Sequence, residues 1–154
     1  MISQKAKYAF KALFHLADVG PDSSASIEEI AIANAIPRKF LEHILLQLKR
    51  DGIVRSLRGP RGGYTLVLPA EALTIGRVLR LVDGPMAPLP CLSRTAYRRC
   101  PDCVSETTCA VRHLFADAYA AQLARFDTTT LADARATPDG NQPERQGIPE
   151  FAHN

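Results

Sequence analysis

The run from residue 37 to residue 68 constrains the fold more than any other part of the chain. Phe40, Leu41, Ile44, Leu45 and Leu48 recur at helical spacing and predict one buried stripe. That leaves Arg38, Lys39, Glu42, His43, Lys49 and Arg50 on the opposite arc. Pro37 suits the first position of this helix, and Asp51-Gly52 stops it. Residues 53–57 and 64–68 then read as two short strands on either side of Arg58-Gly59-Pro60-Arg61-Gly62-Gly63. A polar-faced helix is thus followed directly by a hairpin with a basic, glycine-rich tip.

Two further helical patterns precede it. Ser3 can cap a helix whose Ala6, Ala9, Phe10, Leu13, Leu16 and Ala17 share one face, and Gly20-Pro21 ends it. Ser26-Ile27-Glu28-Glu29 has the pattern of a capping box, with Ile27, Ile30 and Ala31 inward and a turn at Asn34. Residues 74–82 predict a fourth helix with Ile75, Val78, Leu79 and Val82 inward, closed by Asp83-Gly84-Pro85. Three helices and a hairpin, in this order, are the parts of a winged helix-turn-helix. The third helix would enter a major groove with Arg38, Lys39, Glu42 and His43 nearest the bases. Arg58 and Arg61 in the wing would meet phosphate or a narrow minor groove. Taken singly, each of these charges reads as well as a solvated surface residue; the specific signal is the polar third helix together with the basic wing.

Length and charge agree with such a reading. At 154 residues the chain has room for one domain and an added element. Its net charge of +3 is uneven: Lys and Arg against Asp and Glu give 12 and 8 over residues 1–84, 5 and 4 over 85–130, and 2 and 4 over 131–154. The basic excess lies in the half that carries the hairpin, which permits a polyanionic partner. Lysines interrupt the apolar positions of the N-terminus, unlike a secretory signal, and no run approaches the roughly 20 apolar residues of a membrane span. The expected setting is cytoplasmic, with no membrane partner.

All four cysteines, Cys91, Cys100, Cys103 and Cys109, fall within 19 residues. In a reducing compartment such a cluster points to metal ligation or redox chemistry more than to permanent disulfides. Soft thiolates suit an iron-sulfur cluster or zinc. Only Cys100-Pro101-Asp102-Cys103 has the short spacing common in zinc sites, and no second such pair matches it. Arg94, Arg98 and Arg99 could offset thiolate charge. His113 follows Cys109 by one helical turn and could add a nitrogen ligand, although a lone helical histidine is more often packed or solvated. From about Cys109 to Phe126 a long helix is expected, with Val111, Leu114, Phe115, Ala118 and Ala121 on one stripe and Leu123 and Phe126 continuing its apolar character. Residues 130–134 read as a further helical turn. Residues 137–154, rich in Pro, Gly, Asn and Gln, read as a disordered tail. No phosphate loop, nucleophile motif or carboxylate pair in a cleft points to an enzyme.

In this order of parts the chain resembles the Rrf-two family of winged-helix regulators, which includes IscR, NsrR and RirA. The resemblance rests on ISQKAKYAFKALFHLA, IPRKFLEHILLQLKRDGIVRSLRGPRGGYTLVLP, LTIGRVLRLVDG and the cysteine loop running into a long helix. The arginine-glycine start of the wing and its closing Gly-Gly-Tyr are the most specific local match. The resemblance implies a mainly α fold with a small β wing. It divides the chain into a DNA-binding domain (1–84), a cluster-binding loop (85–108), a dimerisation helix with a short terminal helix (109–136) and the tail (137–154). It implies a homodimer on palindromic double-stranded DNA, with Ser3, Lys5 and Tyr8 joining Arg38, Lys39, Glu42, His43, Arg58 and Arg61 at the duplex.

The resemblance also implies a [2Fe-2S] or [4Fe-4S] cluster held by Cys91, Cys103 and Cys109, since cluster-bearing members keep five residues between the last two cysteines. Cys100 is additional and could replace Cys103 or serve as a fourth ligand. The IscR branch has a histidine three residues after its last cysteine, where this chain has Arg112. The implied function is a transcription regulator, in the form of a repressor, that senses iron, redox state or nitric oxide. Alternatives are a DNA-binding thiol-disulfide switch without a cluster, with Cys100 and Cys103 as the nearest pair in sequence, or a zinc-stabilised protein-interaction module.

Overall fold

The structure is a computed structural model and describes residues 2–59 and 62–136. The expected tail and Arg61 at the wing tip lie outside the described residues. Among the described residues, six α-helices and a two-stranded antiparallel sheet follow in the order α1 (Gln4–Val19), α2 (Ile27–Asn34), α3 (Arg38–Arg50), β1 (Val54–Leu57), β2 (Gly63–Leu66), α4 (Ile75–Asp83), α5 (Ala110–Thr128) and α6 (Leu131–Ala136). The mainly helical winged fold is the one the sequence predicts.

Local chemistry sets most of the helix starts. Ser3 accepts the backbone N–H of Ala6 at the head of α1. At α2 the capping box is complete: Ser26 Oγ accepts from Glu29 N at 3.2 Å while Glu29 Oε2 accepts from Ser26 N at 2.7 Å. Those bonds hold the Glu29 carboxyl below its ordinary range, the Ser26 backbone N–H contributing most and its hydroxyl next. Thr74 caps α4 in the same way. Pro37 stands one position earlier than expected, as the residue before α3, because Arg38 is the first to take helical geometry.

The core gathers Ala6, Ala9, Leu13 and Leu16 of α1, Ile30 of α2, Leu41, Ile44, Leu45 and Leu48 of α3, Ile53, Val54, Leu73, and Val78 and Leu79 of α4. Phe40 departs from the expected stripe. It is 42% exposed, standing beside the buried face, and meets the Tyr8 ring edge-on with centroids 5.7 Å apart. The strands are also shorter than expected, β1 beginning at Val54 and β2 ending at Leu66, with Val67 N still donating to Ile53 O at 2.9 Å just beyond them.

In the sheet, Val54 pairs with Leu66 and Leu57 with Gly63. A third segment supports it, since Ala25 N donates to Tyr64 O at 3.0 Å and Tyr64 N to Ala25 O at 2.7 Å. Gly63 permits this approach: a Cβ there would lie 2.5 Å from Ala25 O and 2.9 Å from Ser26 N.

Downstream of the head, α5 crosses α4 and the chain turns back on it. Ile75 N donates to Thr129 O at 2.9 Å, Leu131 N donates to Leu73 O at 2.8 Å, and Leu131 is fully buried in the core of the N-terminal head. Arg80 bonds Asp127 at 2.7 Å, and Arg135 pairs with Asp18 of α1.

The face of α5 turned inward is not the expected one. Tyr119 and Leu123 are its buried residues, whereas Val111, Leu114 and Phe115 are 53%, 72% and 41% exposed, and Ala118 and Ala121 are exposed with them. The predicted stripe is therefore present as a surface along the outside of this chain.

Candidate nucleic-acid interface and thiol cavity

The first candidate surface is built on α3. With Leu41, Ile44, Leu45 and Leu48 turned into the core, the helix exposes Arg38, Lys39, Glu42, His43, Leu46 and Arg50. Arg38 is engaged within the chain, its Nη1 lying 2.9 Å from Glu28 Oε2 and its Nε 3.4 Å from Glu42 Oε1. The His43 ring is held as well, with Nδ1 2.8 Å from the Lys39 carbonyl oxygen. Tyr8 reaches this end of α3 through Phe40, so α1 and α3 meet at the face the sequence assigns to DNA.

Ser3 has a different set of partners. Besides capping α1, its hydroxyl donates to Asp83 Oδ1, and its backbone N–H donates to Asp83 Oδ2 at 3.0 Å, stitching the start of α1 to the end of α4. Lys5 is partly buried. In the wing, Arg58 is exposed beside Gly59, whose φ of +112° favours glycine. Gly62 N donates to Gly59 O at 2.8 Å and closes the tip, while Lys49 Nζ to Ser56 Oγ at 2.6 Å ties the wing to the end of α3.

The second candidate is a cleft of about 460 Å³ where the cysteine segment meets the start of α5. All four cysteines line it, together with Asp102, Glu106 and Arg112. Cys91 lies in a single 3-10 turn, Pro90–Leu92, and is buried. Cys100 and Cys103 come from the loop, and Cys109 is the residue before α5, its sulfur accepting the Arg112 backbone N–H at 3.4 Å. The Cys100 thiol is pushed above its ordinary range, first by burial, then by its hydrogen bond with Cys91 and by the charges of Cys91, Asp102 and Cys103.

Arg112 is the residue that sequence reasoning undervalued. Its guanidinium donates to the Cys91 carbonyl oxygen and lies 3.5 Å from Glu106 Oε2, and Glu106 in turn accepts the Tyr97 hydroxyl. The Cys91 thiol is the largest influence pushing the Arg112 guanidinium above its ordinary range. Arg99 braces the same loop by donating to Cys103 O at 2.9 Å and Val104 O at 3.1 Å. His113, one residue on, is exposed on the helix and is not among the residues lining the cleft. The signal available from the sequence was the three-residue step from Cys109 to Arg112, which turns both into one side of the first helical turn.

The donor set fits a thiophilic metal or an iron-sulfur cluster in chemistry, with four thiols around one cleft and a guanidinium to offset their charge. Among the described residues the four are not drawn to ion-binding separation, no group of three or more ligating side chains being close enough to hold a metal. Loading would have to pull the loop inward. A bound metal would also deprotonate Cys100, which is otherwise held in its neutral form.

Comparison with known proteins places the chain among regulators. The sequence model of one family, Rrf2, described as an iron-dependent transcriptional regulator, matches residues 2–136. The chain is 48% identical over 139 residues to a putative HTH-type transcriptional regulator, rrf2-like, of Rhodobacter capsulatus, covering 88% of this chain and 93% of that one. It is 30% identical over 147 residues to the HTH-type transcriptional regulator CymR of Bacillus subtilis, covering 92% and 94%. The solved structure of CymR, the global cysteine regulator of B. subtilis, superposes with a TM-score of 0.75 at 29% identity over 90% of this chain and 98% of that one. IscR of T. potens superposes with a TM-score of 0.68 at 22% identity over 88% and 85%, a likeness of fold.

Proposed function

The chain belongs to the Rrf2 family of DNA-binding transcriptional regulators and is not an enzyme, and from that premise we propose a homodimeric repressor whose hold on DNA is set by an iron-sulfur cluster. The observation that carries this reading is the convergence of Cys91, Cys100, Cys103 and Cys109 on one cleft at the head of α5. Cys91, Cys103 and Cys109 are the ligands expected from the family pattern, with Cys100 as a fourth ligand or in place of Cys103. The cluster, when bound, supplies a centre whose redox state and integrity respond to iron supply, oxidants or nitric oxide.

The chain's own residues then carry the signal. Cys109 begins α5 and Arg112 spans from α5 to Cys91 and Glu106, so drawing the thiols together pulls on the first turn of that helix. The exposed stripe of Val111, Leu114, Phe115, Ala118 and Ala121 on α5 pairs with the same stripe of a second copy. Moving α5 changes the separation or orientation of the two α3 helices, which read the half-sites of a palindrome. Lys39, Glu42 and His43 face the bases, with Arg38 released from its carboxylates or holding Glu42 in place. Ser3, Lys5 and Tyr8 flank the duplex, and Arg58 and Arg61 of the wing meet its backbone or minor groove. We take residues 1–84 as the reading head, 85–108 as the sensing loop and 109–136 as the pairing element. The protein works in the cytoplasm; among the described residues no helix is long and apolar enough to cross a membrane.

Anaerobic purification followed by visible absorption and assays of iron and sulfide tests the cluster. Charge-transfer absorption with matching iron and sulfide is expected, whereas a colourless protein with stoichiometric zinc overturns it. Gel-shift assays on genomic fragments test the DNA role, with affinity falling steeply as salt rises.

A second reading is favoured by Cys91 and Cys100 lining one cleft, the Cys91 thiol being among the influences that push the Cys100 thiol up. There the loop is a metal-free switch in which peroxide oxidises the two thiols to a disulfide and is itself reduced to water. CymR, the global cysteine regulator of B. subtilis, is a relative of the same fold. Mass-spectrometric mapping after mild peroxide separates the two readings, a reversible Cys91–Cys100 disulfide without iron or zinc favouring the switch.

A further inference from the structure

We infer that His43 is a base-reading residue locked to present an acceptor, so that it recognises the exocyclic amino group of adenine or cytosine in the major groove. The inference rests on the DNA-reading role of α3. A carbonyl oxygen can only accept, so the 2.8 Å contact between His43 Nδ1 and Lys39 O requires the proton to be on Nδ1. In the neutral ring that leaves Nε2 with a lone pair and no hydrogen. The residue is exposed, on the arc opposite Leu41, Ile44, Leu45 and Leu48, so Nε2 lies on the outer side of the helix.

In the major groove the only exocyclic donors are adenine N6 and cytosine N4; guanine offers O6 and N7, which need a donor instead. A histidine free to change tautomer could serve either kind of base. The bond to Lys39 removes that freedom at no cost in protein contacts, because the carbonyl belongs to the same helix, one turn back. Glu42, the neighbouring residue, is also an acceptor when ionised, and its Oε1 is oriented by Arg38 at 3.4 Å. The start of α3 therefore presents adjacent acceptors at Glu42 and His43 beside the exposed cation Lys39, and its sequence preference at the His43 contact is set by an amino group.

The test uses the full chain. Duplexes bound by the wild type and by His43→Ala are selected from a random library, and the base pair whose preference disappears in the variant marks the His43 contact. At that position the adenine is then replaced by purine, or the cytosine by 2-pyrimidinone, each lacking only the amino group, and binding is followed by fluorescence anisotropy. The wild type is expected to lose about tenfold or more in affinity for the amino-free probe, while His43→Ala binds both probes equally. Circular dichroism shows whether the variant keeps its helices, which alanine in an exposed helical position favours. Unchanged base preferences in His43→Ala, or a wild type indifferent to the missing amino group, overturn the inference alone. Failure of the wild type to select any sequence overturns the DNA-reading role itself.

Discussion

Arg112 and Glu106 lie 3.5 Å apart in the lining of the thiol cleft, joining the first turn of α5 to the loop that carries Cys100 and Cys103. Because Arg112 also donates to the Cys91 carbonyl, one side chain fastens both ends of the cysteine segment. Arg112→Ala is expected to speed amide hydrogen exchange across residues 90–106 and leave that of α1–α3 unchanged. Arg112→Lys keeps the charge but loses the planar fork and recovers only part of the protection. Unaltered exchange in the alanine variant would show that the loop holds itself.

Tyr97 hydrogen-bonds Glu106, and that bond is the main cause of its raised pKa, with burial and the Glu106 charge adding to it. The bonded phenol keeps its proton in the folded chain at a pH where it has lost it in the unfolded chain. Its contribution to stability is therefore complete below the ordinary tyrosine value near 10 and is lost as pH rises through the higher folded value. In a spectrophotometric titration from pH 8 upward, one of the four tyrosines should ionise late, and Tyr97→Phe should remove that late step. Disappearance of a different step would assign it to another ring.

Gly63 has the backbone of Ala25 and Ser26 where a Cβ would stand. Gly63→Ala is expected to push the hairpin off that segment and lower stability by about 1–3 kcal/mol, seen as a reduced denaturation midpoint in urea. Affinity for DNA should fall with it, since the Ala25 pairing supports the wing. A midpoint within error of the wild type would mean that the 25–26 segment gives way freely.

Leu114 is 72% exposed in the middle of the outward stripe of α5. If that stripe is the pairing surface, Leu114→Glu should weaken self-association by about 2 kcal/mol or more and shift sedimentation toward the monomer. The melting of the monomeric fold should change little, because among the described residues this side chain lies outside the core. A variant that sediments as the wild type does would place the dimer contact elsewhere.

The parts of the fold readable in the sequence were those whose cause is local. Ser3, Ser26 and Thr74 cap helices because an oxygen one bond from Cβ reaches the N–H three residues on. The hairpin was visible because its glycines punctuate a run of strand formers. Which face of α5 turns inward was hidden, since Tyr119 and Leu123 are chosen by α4 and the neighbouring loop rather than by the helix's own periodicity. Phe40 falls in the same class: its helical position is marginal, and the partner that decides it is Tyr8, 32 residues away in sequence. At the cleft, the four thiols announced themselves by composition. Arg112 did not, because a single arginine near a cysteine has no meaning until the loop returns Cys91 and Glu106 to it.

Leu131 sits among the side chains of the N-terminal head although 46 residues separate it from the end of residues 1–84. Its burial is worth about 1.5–3 kcal/mol, a sizeable part of what holds a small domain together. The piece of this protein able to stand alone is consequently not a contiguous stretch of sequence. A fragment cut at residue 84 would carry α3 and the wing and still have a leucine-sized hole in its centre. Grafting the head onto another protein would require splicing residues 129–136 back across a linker, with α5 and the cysteine segment treated as an insertion within the head.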